Sequence, residues 1–173
     1  MCLQKSNLKI QVTPVSLNED EKLFVDLLKK YTEEHSEMLE DKSLYLLRNK
    51  SRVGMGFFEA GNFYPDYILW INTDDTQYIS FIDPKGLMHI RPDDPKIQFY
   101  RTIKELEARL APTADGVKIV LNSFIMSGTH ASDLQMWWTT PEQIADRAYR
   151  EARNVYTLDN PECVELMIKK ILG

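Results

Sequence analysis

The sequence predicts an α/β fold in which a mixed β-sheet lies between two layers of helices, with two further helices added at the C-terminal end. Three observations lead to this prediction: the order of helical and strand-like segments, the apolar character of both faces of two strands, and the composition. The chain has 173 residues, of which 43% are hydrophobic and 27% are charged, as is typical of a globular domain.

The length suits a single domain with a small addition. We expect a lead-in segment over residues 1–17, a core over 18–130, and a helical extension of the same domain over 131–173. Alternating apolar residues predict a short strand within the lead-in, over residues 8–12. No apolar run approaches the roughly 18 residues that cross a bilayer, and the first residues lack the apolar segment of a secretory signal. We therefore expect a cytoplasmic protein with no membrane partner.

The core begins with a helix. Asn18 suits the N-cap position, and the three acids at residues 19–21 follow it where the helix dipole favours negative charge. Apolar side chains then recur at helical spacing, at Phe24, Leu27, Leu28 and Tyr31. This pattern predicts a helix that ends near His35.

Three strand-like segments follow this helix. Residues 44–49 form the first, and residues 67–71 and 78–82 are rich in β-branched and aromatic side chains. The turn composition of residues 72–76 joins the last two into a hairpin. Its two faces are both apolar: Ile68, Trp70, Ile79 and Phe81 on one, and Tyr67, Leu69, Ile71 and Ile82 on the other. Strands buried on both faces need helices on both sides of the sheet.

The remaining segments predict a helix, a strand and two more helices. Residues 95–110 repeat apolar side chains at helical spacing, and residues 117–126 have the composition of a strand. The Thr-Pro-Glu-Gln run at 140–143 matches a capping box with proline at the first helical position, which predicts a helix to about Tyr156. A last helix is predicted over residues 160–172.

Three ionisable residues lie at the open end of the predicted hairpin: Asp66, Asp83 and Lys85. If the turn centres on its two aspartates, Asp66 lies directly opposite Asp83. Opposed residues of an antiparallel ladder point to the same face, with Cα atoms roughly 4.5–5.5 Å apart. Lys85 shares that face if the strand stays extended, because side chains alternate along a strand.

Two carboxylates this close repel each other unless they share a proton or bind a divalent cation. Oxygen ligands without nearby histidine or cysteine favour Mg²⁺, with Mn²⁺ as a substitute, over zinc. Pro84 cannot donate a ladder hydrogen bond, so we expect the strand to bend there and the Pro84 carbonyl to face the cation. The alternative interpretation of Asp66, Asp83 and Lys85 is a structural ion pair at the mouth of the hairpin.

The motif formed by Pro-Asp at 65–66 and Asp-Pro-Lys at 83–85 resembles the PD-(D/E)xK nuclease superfamily. That superfamily has a core of helix, three strands, helix and strand, which is the order predicted over residues 18–126. The resemblance implies a restriction-endonuclease-like fold. Residues 56–66 (GFFEAGNFYPD) and 81–87 (FIDPKGL) more specifically resemble the C-terminal endonuclease domain of type III restriction subunits and related DEAD/DEAH-box helicases.

This resemblance implies a Mg²⁺-dependent endonuclease that hydrolyses DNA. Asp66 and Asp83 would hold the metal, and Lys85 would position or activate the attacking water. The superfamily often adds an acid from the first helix, and we select Glu21, which lies at the edge of the apolar stripe and can reach the sheet. Three other acids compete with it for this role: Asp20, Glu34 and Glu59.

The family also implies partners. Its nuclease domain follows a helicase motor, and this sequence has no GxxxxGK[ST] phosphate loop of its own. We therefore expect a helicase motor domain or subunit as a partner, together with DNA and a modification methyltransferase subunit. The competing hypothesis is a domain of the same fold that binds DNA or protein without cutting.

The net charge of −5 argues against DNA binding until its distribution is considered. Residues 18–41 contain nine acids and three bases, so the rest of the chain is nearly neutral. Residues 42–52 contain four bases and no acids, residues 85–104 contain five bases and two acids, and the two stretches flank the predicted site. We expect phosphate contacts there, and weak DNA binding by this domain alone.

Overall fold

The structure is a computed structural model that describes residues 16–50, 54–58, 60–111, 113 and 115–173. The strand predicted over residues 8–12 lies outside the described residues. The described part of the chain contains the following helices and strands in order: α1 (Glu19–Glu34), β1 (Ser43–Arg48), β2 (Tyr67–Asn72), β3 (Thr76–Lys85), α2 (Pro95–Glu107), β4 (Lys118–Ser127), α3 (Ala131–Trp138), α4 (Arg147–Glu151), β5 (Val155–Thr157) and α5 (Cys163–Leu172). None of these helices combines the length and the apolar character that crossing a bilayer requires. The predicted order of helix, three strands, helix and strand is confirmed.

The start of α1 follows the predicted capping pattern. The Asn18 side chain accepts a hydrogen bond from the Glu21 backbone N–H (2.8 Å), and the Glu21 carboxylate accepts one from the Asn18 N–H (3.0 Å). This reciprocal arrangement satisfies two N–H groups that have no partner within the helix. It also fixes the Glu21 side chain at the first turn, next to the sheet.

All five strands form one mixed sheet in the order β1-β2-β3-β4-β5. The first three are antiparallel neighbours, whereas β3, β4 and β5 run parallel. Tyr67 is opposite Ile82, and Asn72 is opposite Gln77. This is the predicted register, and it directs Asp66 and Asp83 towards each other at the open end of the hairpin.

Helices cover both faces of the sheet and create two cores. On one face α1 and α5 pack on β2 and β3, and on the other α2 and α3 pack on β2, β3 and β4. The side chains of the hairpin divide between these cores as the sequence predicts, because neighbours along a strand point to opposite faces. The first core includes Phe24, Leu28, Leu69, Ile82 and Ile168, and the second includes Ile68, Phe81, Ile97, Ile103 and Leu134.

The helix predicted over residues 140–156 is wrong. Thr140 and Gln143 instead close a tight turn, in which each backbone N–H donates to the other's carbonyl at 2.9 and 3.2 Å. The helical segment α4 is short and follows its N-cap Asp146, whose side chain accepts from the Tyr149 N–H at 2.8 Å.

After α4 the chain becomes a strand. Asn154 adopts a left-handed φ of 55°, which ends the helical path, and Val155–Thr157 then pairs with β4 as β5. All three residues of β5 are buried, so the edge of the sheet offers them more burial than an exposed helix would. The extension therefore contains three helices and a strand, and its last helix, α5, is confirmed.

Candidate active site

The hairpin places Asp66 and Asp83 against each other at the end of the sheet. The Asp83 side chain is buried (5% exposed), Asp66 is half-buried, and the two carboxyl groups hydrogen-bond to each other. The Asn49 backbone N–H donates to the Asp66 carbonyl at 2.7 Å, which ties the residue to the end of β1. Two carboxyl groups can hydrogen-bond only if one of them is protonated, so this contact favours a proton on Asp66.

This environment raises the pKa of Asp66 to about 7. Burial is the largest cause, followed by the hydrogen bond and the negative charge of Asp83, and then by the charge of Glu21. The Lys85 ammonium acts in the opposite direction. Such a pKa is typical of a carboxyl group at a functional site, because desolvation and a like charge act on it together.

Lys85 completes the group that the sequence predicts. Its ammonium forms an ion pair with the Asp83 carboxylate, and it also lies over the Phe63 ring, 5.4 Å from the centroid. The ring face attracts the cation, so Phe63 and Asp83 hold the ammonium from two sides. The Lys85 carbonyl accepts from the Gly128 N–H at 3.2 Å, which joins the ends of β3 and β4.

Phe63 is placed by the loop before β2. Phe57 and Phe63 form an isolated antiparallel bridge, with N–H to carbonyl distances of 2.8 and 3.0 Å. Their rings pack on Phe99 of α2 with centroids 4.5 and 5.6 Å away. Gly61 and Asn62 turn the loop with φ values of 67° and 58°, and glycine and asparagine tolerate this left-handed conformation better than other residues.

Asn49 supports the same loop, and the sequence reasoning did not identify it. Its side-chain amide donates to the carbonyls of Met55 (2.7 Å) and Pro65 (2.8 Å), and its oxygen accepts from the Met55 N–H (3.0 Å). A Cβ at Gly54 would collide with the Asn49 side-chain oxygen, which explains the glycine. Asn49 thereby fixes the residue that precedes Asp66.

Glu21 lies close enough to Asp66 for its charge to raise the pKa of Asp66. The residue is buried (6% exposed), and its carboxylate pairs with Arg48 Nη2 at 3.0 Å. Among the three competitors, Asp20 packs against Gly128, whereas Glu34 lies at the opposite end of α1. Glu59 is outside the described residues. Glu21 is thus the acid of α1 whose charge acts on the pair.

Tyr67 adds a polar group beside Glu21. Its hydroxyl is buried and has no hydrogen-bond partner among the described residues. Burial raises the pKa of this hydroxyl above its usual range, and the Glu21 charge adds to the effect. A buried hydroxyl without a protein partner commonly binds a water molecule or an ion-bound ligand, so this position is suited to one.

The donor set fits a hard divalent cation. Asp66 and Asp83 supply two carboxylates in contact, and the described groups that act on Asp66 include no histidine or cysteine, which is the chemistry of Mg²⁺ or Mn²⁺. In the ranges that the structure describes, however, no three acidic, histidine or cysteine side chains already converge on one point, since Glu21 pairs with Arg48. The ladder with β4 continues through Pro84 to Lys85, so pairing does not break at the proline.

Comparison of the chain with protein-family models, with curated proteins and with solved structures finds no match. The resemblance to the PD-(D/E)xK nucleases therefore stays a prediction. It rests on the motif at 65–66 and 83–85 and on the order of the elements that present it.

Proposed function

We propose that this protein is a metal-dependent endonuclease domain that hydrolyses DNA phosphodiester bonds. The observation that carries the proposal is the contact between Asp66 and Asp83, with Lys85 beside them, at the end of a hairpin within a helix, three-strand, helix, strand core. The carboxyl pair binds a proton near neutral pH, and a divalent cation would replace that proton.

Each residue has a distinct role in this proposal. Asp66, Asp83 and the Pro84 carbonyl would hold Mg²⁺, and Glu21 would join them by exchanging its contact with Arg48. When bound, the cation polarises a phosphoryl oxygen and acidifies a water molecule. Lys85 orients that water and offsets the charge that develops on the phosphate oxygens. Phe63 acts through Lys85, because it restricts where the ammonium lies.

We further propose that the domain works as the nuclease module of a type III restriction or helicase-nuclease system. A helicase motor would supply most of the DNA affinity, and a methyltransferase subunit would complete the assembly. The net charge of −5 supports this division, since a domain that held DNA by itself would be expected to be basic.

The test is cleavage of supercoiled and linear DNA by the full chain with Mg²⁺ or Mn²⁺. We expect Asp83→Ala and Lys85→Ala to lose at least about 100-fold in rate, since a positioned acid-base or charge-stabilising group contributes that much. Matched controls are Asp74→Ala and Lys118→Ala, which remove the same charges from exposed positions at the opposite end of the hairpin and of β4. Equal cutting by all five proteins would exclude this site.

A second candidate is a domain of the same fold that binds DNA or protein without cutting. The observation that favours it is the ion pair of Lys85 with Asp83, which neutralises one of the two carboxylates without a metal. Calorimetric titration with Mn²⁺ separates the candidates. Binding that Asp83→Ala abolishes supports the nuclease, whereas no binding together with no cleavage supports the second candidate.

A further inference from the structure

A second group of charged side chains surrounds a cavity beside β5. The cavity has a volume of about 290 Å³, and α4, β5 and the start of α3 line it. Water in the liquid occupies about 30 Å³ per molecule, so the space holds about ten waters, or a tetrahedral oxyanion and its hydration. Two arginines face it, Arg147 and Arg150, together with the acids Glu151 and Asp159.

Arg150 is the unusual member of this group. The residue is only 5% exposed, and its Nη1 donates to the Ala145 carbonyl at 2.9 Å. Within the described ranges, no carboxylate lies within 4 Å of its guanidinium. Burial lowers the pKa of this guanidinium, yet an arginine keeps its charge in proteins. The charges of Asp146, Asp159 and Glu151 act on the guanidinium from beyond ion-pair distance, and an anion bound in the cavity would pair with it directly.

The acids of the cavity are already engaged with other groups. The Glu151 carboxylate accepts from Arg147 Nε at 2.6 Å. Asp159 accepts from the Ala131 backbone N–H at 3.1 Å and contacts His130 at the same distance. Both acids therefore have partners, whereas Arg150 lines the cavity and, among the described residues, uses only its Nη1 in a hydrogen bond.

The position of the cavity relates it to the carboxylate pair. Lys85 is the register partner of Ser127 in β4, and Ser127 is the partner of Thr157 in β5, which lines the cavity. Because the three strands are parallel, these residues end at the same edge and point to the same face. Two strand spacings of about 4.8 Å separate Lys85 from Thr157, which gives about 10 Å between the two sites.

We propose that this cavity binds a phosphate of the DNA backbone a few nucleotides away from the bond that is cut. The inference rests on the proposed function for the identity of the ligand. A DNA strand carries one phosphate per 3.4 Å of helix axis, so about 10 Å corresponds to about three nucleotides. Arg150 supplies a planar fork of donors that matches phosphate oxygens, and Arg147 supplies a second charge at the rim.

The first test uses inorganic phosphate as the probe and does not depend on cleavage. We expect about 20 mM phosphate to raise the melting temperature of the full chain by about 3 °C relative to chloride at equal ionic strength. Arg147→Gln and Arg150→Lys should lose most of this shift, whereas Arg109→Gln, an exposed arginine beyond α2, should keep it. An equal shift in all four proteins, or no shift in the wild type, would overturn the proposal.

The second test measures DNA binding by fluorescence anisotropy in EDTA, where no cutting occurs. Loss of one phosphate contact should weaken binding by about 3- to 10-fold and lower the slope of log affinity against log salt by about 0.9. We expect this result for Arg147→Gln and not for Arg109→Gln. If phosphate stabilises the wild type but Arg147→Gln binds DNA normally, the cavity serves a free phosphate or nucleotide, and the assignment to DNA is wrong.

Failure of this inference differs from failure of the proposed function. Unchanged DNA binding by Arg147→Gln, together with loss of cleavage in Asp83→Ala, would exclude the phosphate cavity and leave the nuclease intact. Phosphate and DNA binding that depend on Arg147, with no cleavage by any protein, would keep the cavity and exclude the nuclease.

Discussion

Replacing Asp66 by asparagine should stabilise the metal-free protein at neutral and alkaline pH. The Asp66 carboxyl is buried against Asp83, so ionising it in the folded protein is unfavourable. Asparagine has nearly the same shape and stays neutral, and its amide N–H can still donate to the Asp83 carboxylate. The substitution therefore removes the cost of the charge and keeps the contact.

The size of the stabilisation by Asp66→Asn follows from the pKa of Asp66. The pKa of Asp66 rises from 3.8 to about 7 on folding, and each unit corresponds to 1.36 kcal/mol. The gain in the free energy of unfolding can therefore reach about 4 kcal/mol. Because solvent screens part of the half-buried site, we expect a gain of about 2 kcal/mol.

The sign of the pH dependence of stability follows from proton binding by Asp66. Between pH 4 and 7 the folded protein holds more protons on this group than the unfolded chain does, so the group's contribution to stability falls as pH rises. Below pH 4 the group is protonated in both states and contributes nothing. Above pH 7 the full cost is present, and the advantage of Asp66→Asn is greatest.

The assay is urea unfolding of both proteins at pH 4.5, 6 and 8 in EDTA. We expect Asp66→Asn to match the wild type at pH 4.5 within about 0.5 kcal/mol, and to exceed it by about 2 kcal/mol at pH 8. Asp74→Asn, an exposed residue of the hairpin turn, is the control and should change little at any pH. An Asp66→Asn protein that is no more stable than the wild type at pH 8 would refute the reasoning.

Three further predictions concern residues that support the site. Asn49→Ala removes three hydrogen bonds, so we expect a loss of about 2–3 kcal/mol in urea unfolding and slower cleavage, with Gln135→Ala, which truncates an exposed amide side chain of α3, as the comparison. Phe63→Leu keeps most of the apolar volume but removes the ring under Lys85. The rate of cleavage should therefore fall by about 5-fold, while the affinity for Mn²⁺ should stay unchanged. An equal loss of cleavage and of Mn²⁺ affinity would contradict a role of Phe63 through Lys85. Gly128→Ala should cost about 1 kcal/mol, because its Cβ would collide with the Asp20 carboxylate and displace it. Adding Asp20→Ala should restore most of the stability, and a double variant no better than Gly128→Ala would show that the collision is not the cause.

Local patterns were sufficient for the hairpin and for the carboxylate pair. The alternation of apolar residues and the turn composition fix the register of β2 and β3, because a slip by one residue would turn every side chain to the other face. Asp66 and Asp83 are then opposed as a consequence. The capping of α1 by Asn18 is equally local, and it brings Glu21 to the site.

The features that the sequence did not reveal depend on contacts between distant segments. Residues 140–156 have a good capping pattern, yet Val155–Thr157 joins the free edge of β4, which no local pattern can indicate. Asn49 is an ordinary polar residue in the sequence, and its role depends on a loop that returns to it. The position of Phe63 under Lys85 likewise follows from tertiary packing and not from periodicity.

The pairing of α1 with α5 on one face of the sheet has a consequence for biosynthesis. Phe24 and Leu28 of α1 share a core with Met167 and Ile168 of α5, so this core is complete only when α5 has left the ribosome. Residues 18–130 contain the proposed catalytic groups but not α5, whose side chains complete this core. A nascent chain that ends before α5 should therefore not hold Asp66 and Asp83 stably in contact, and any activity of the proposed site would have to wait until α5 has been synthesised.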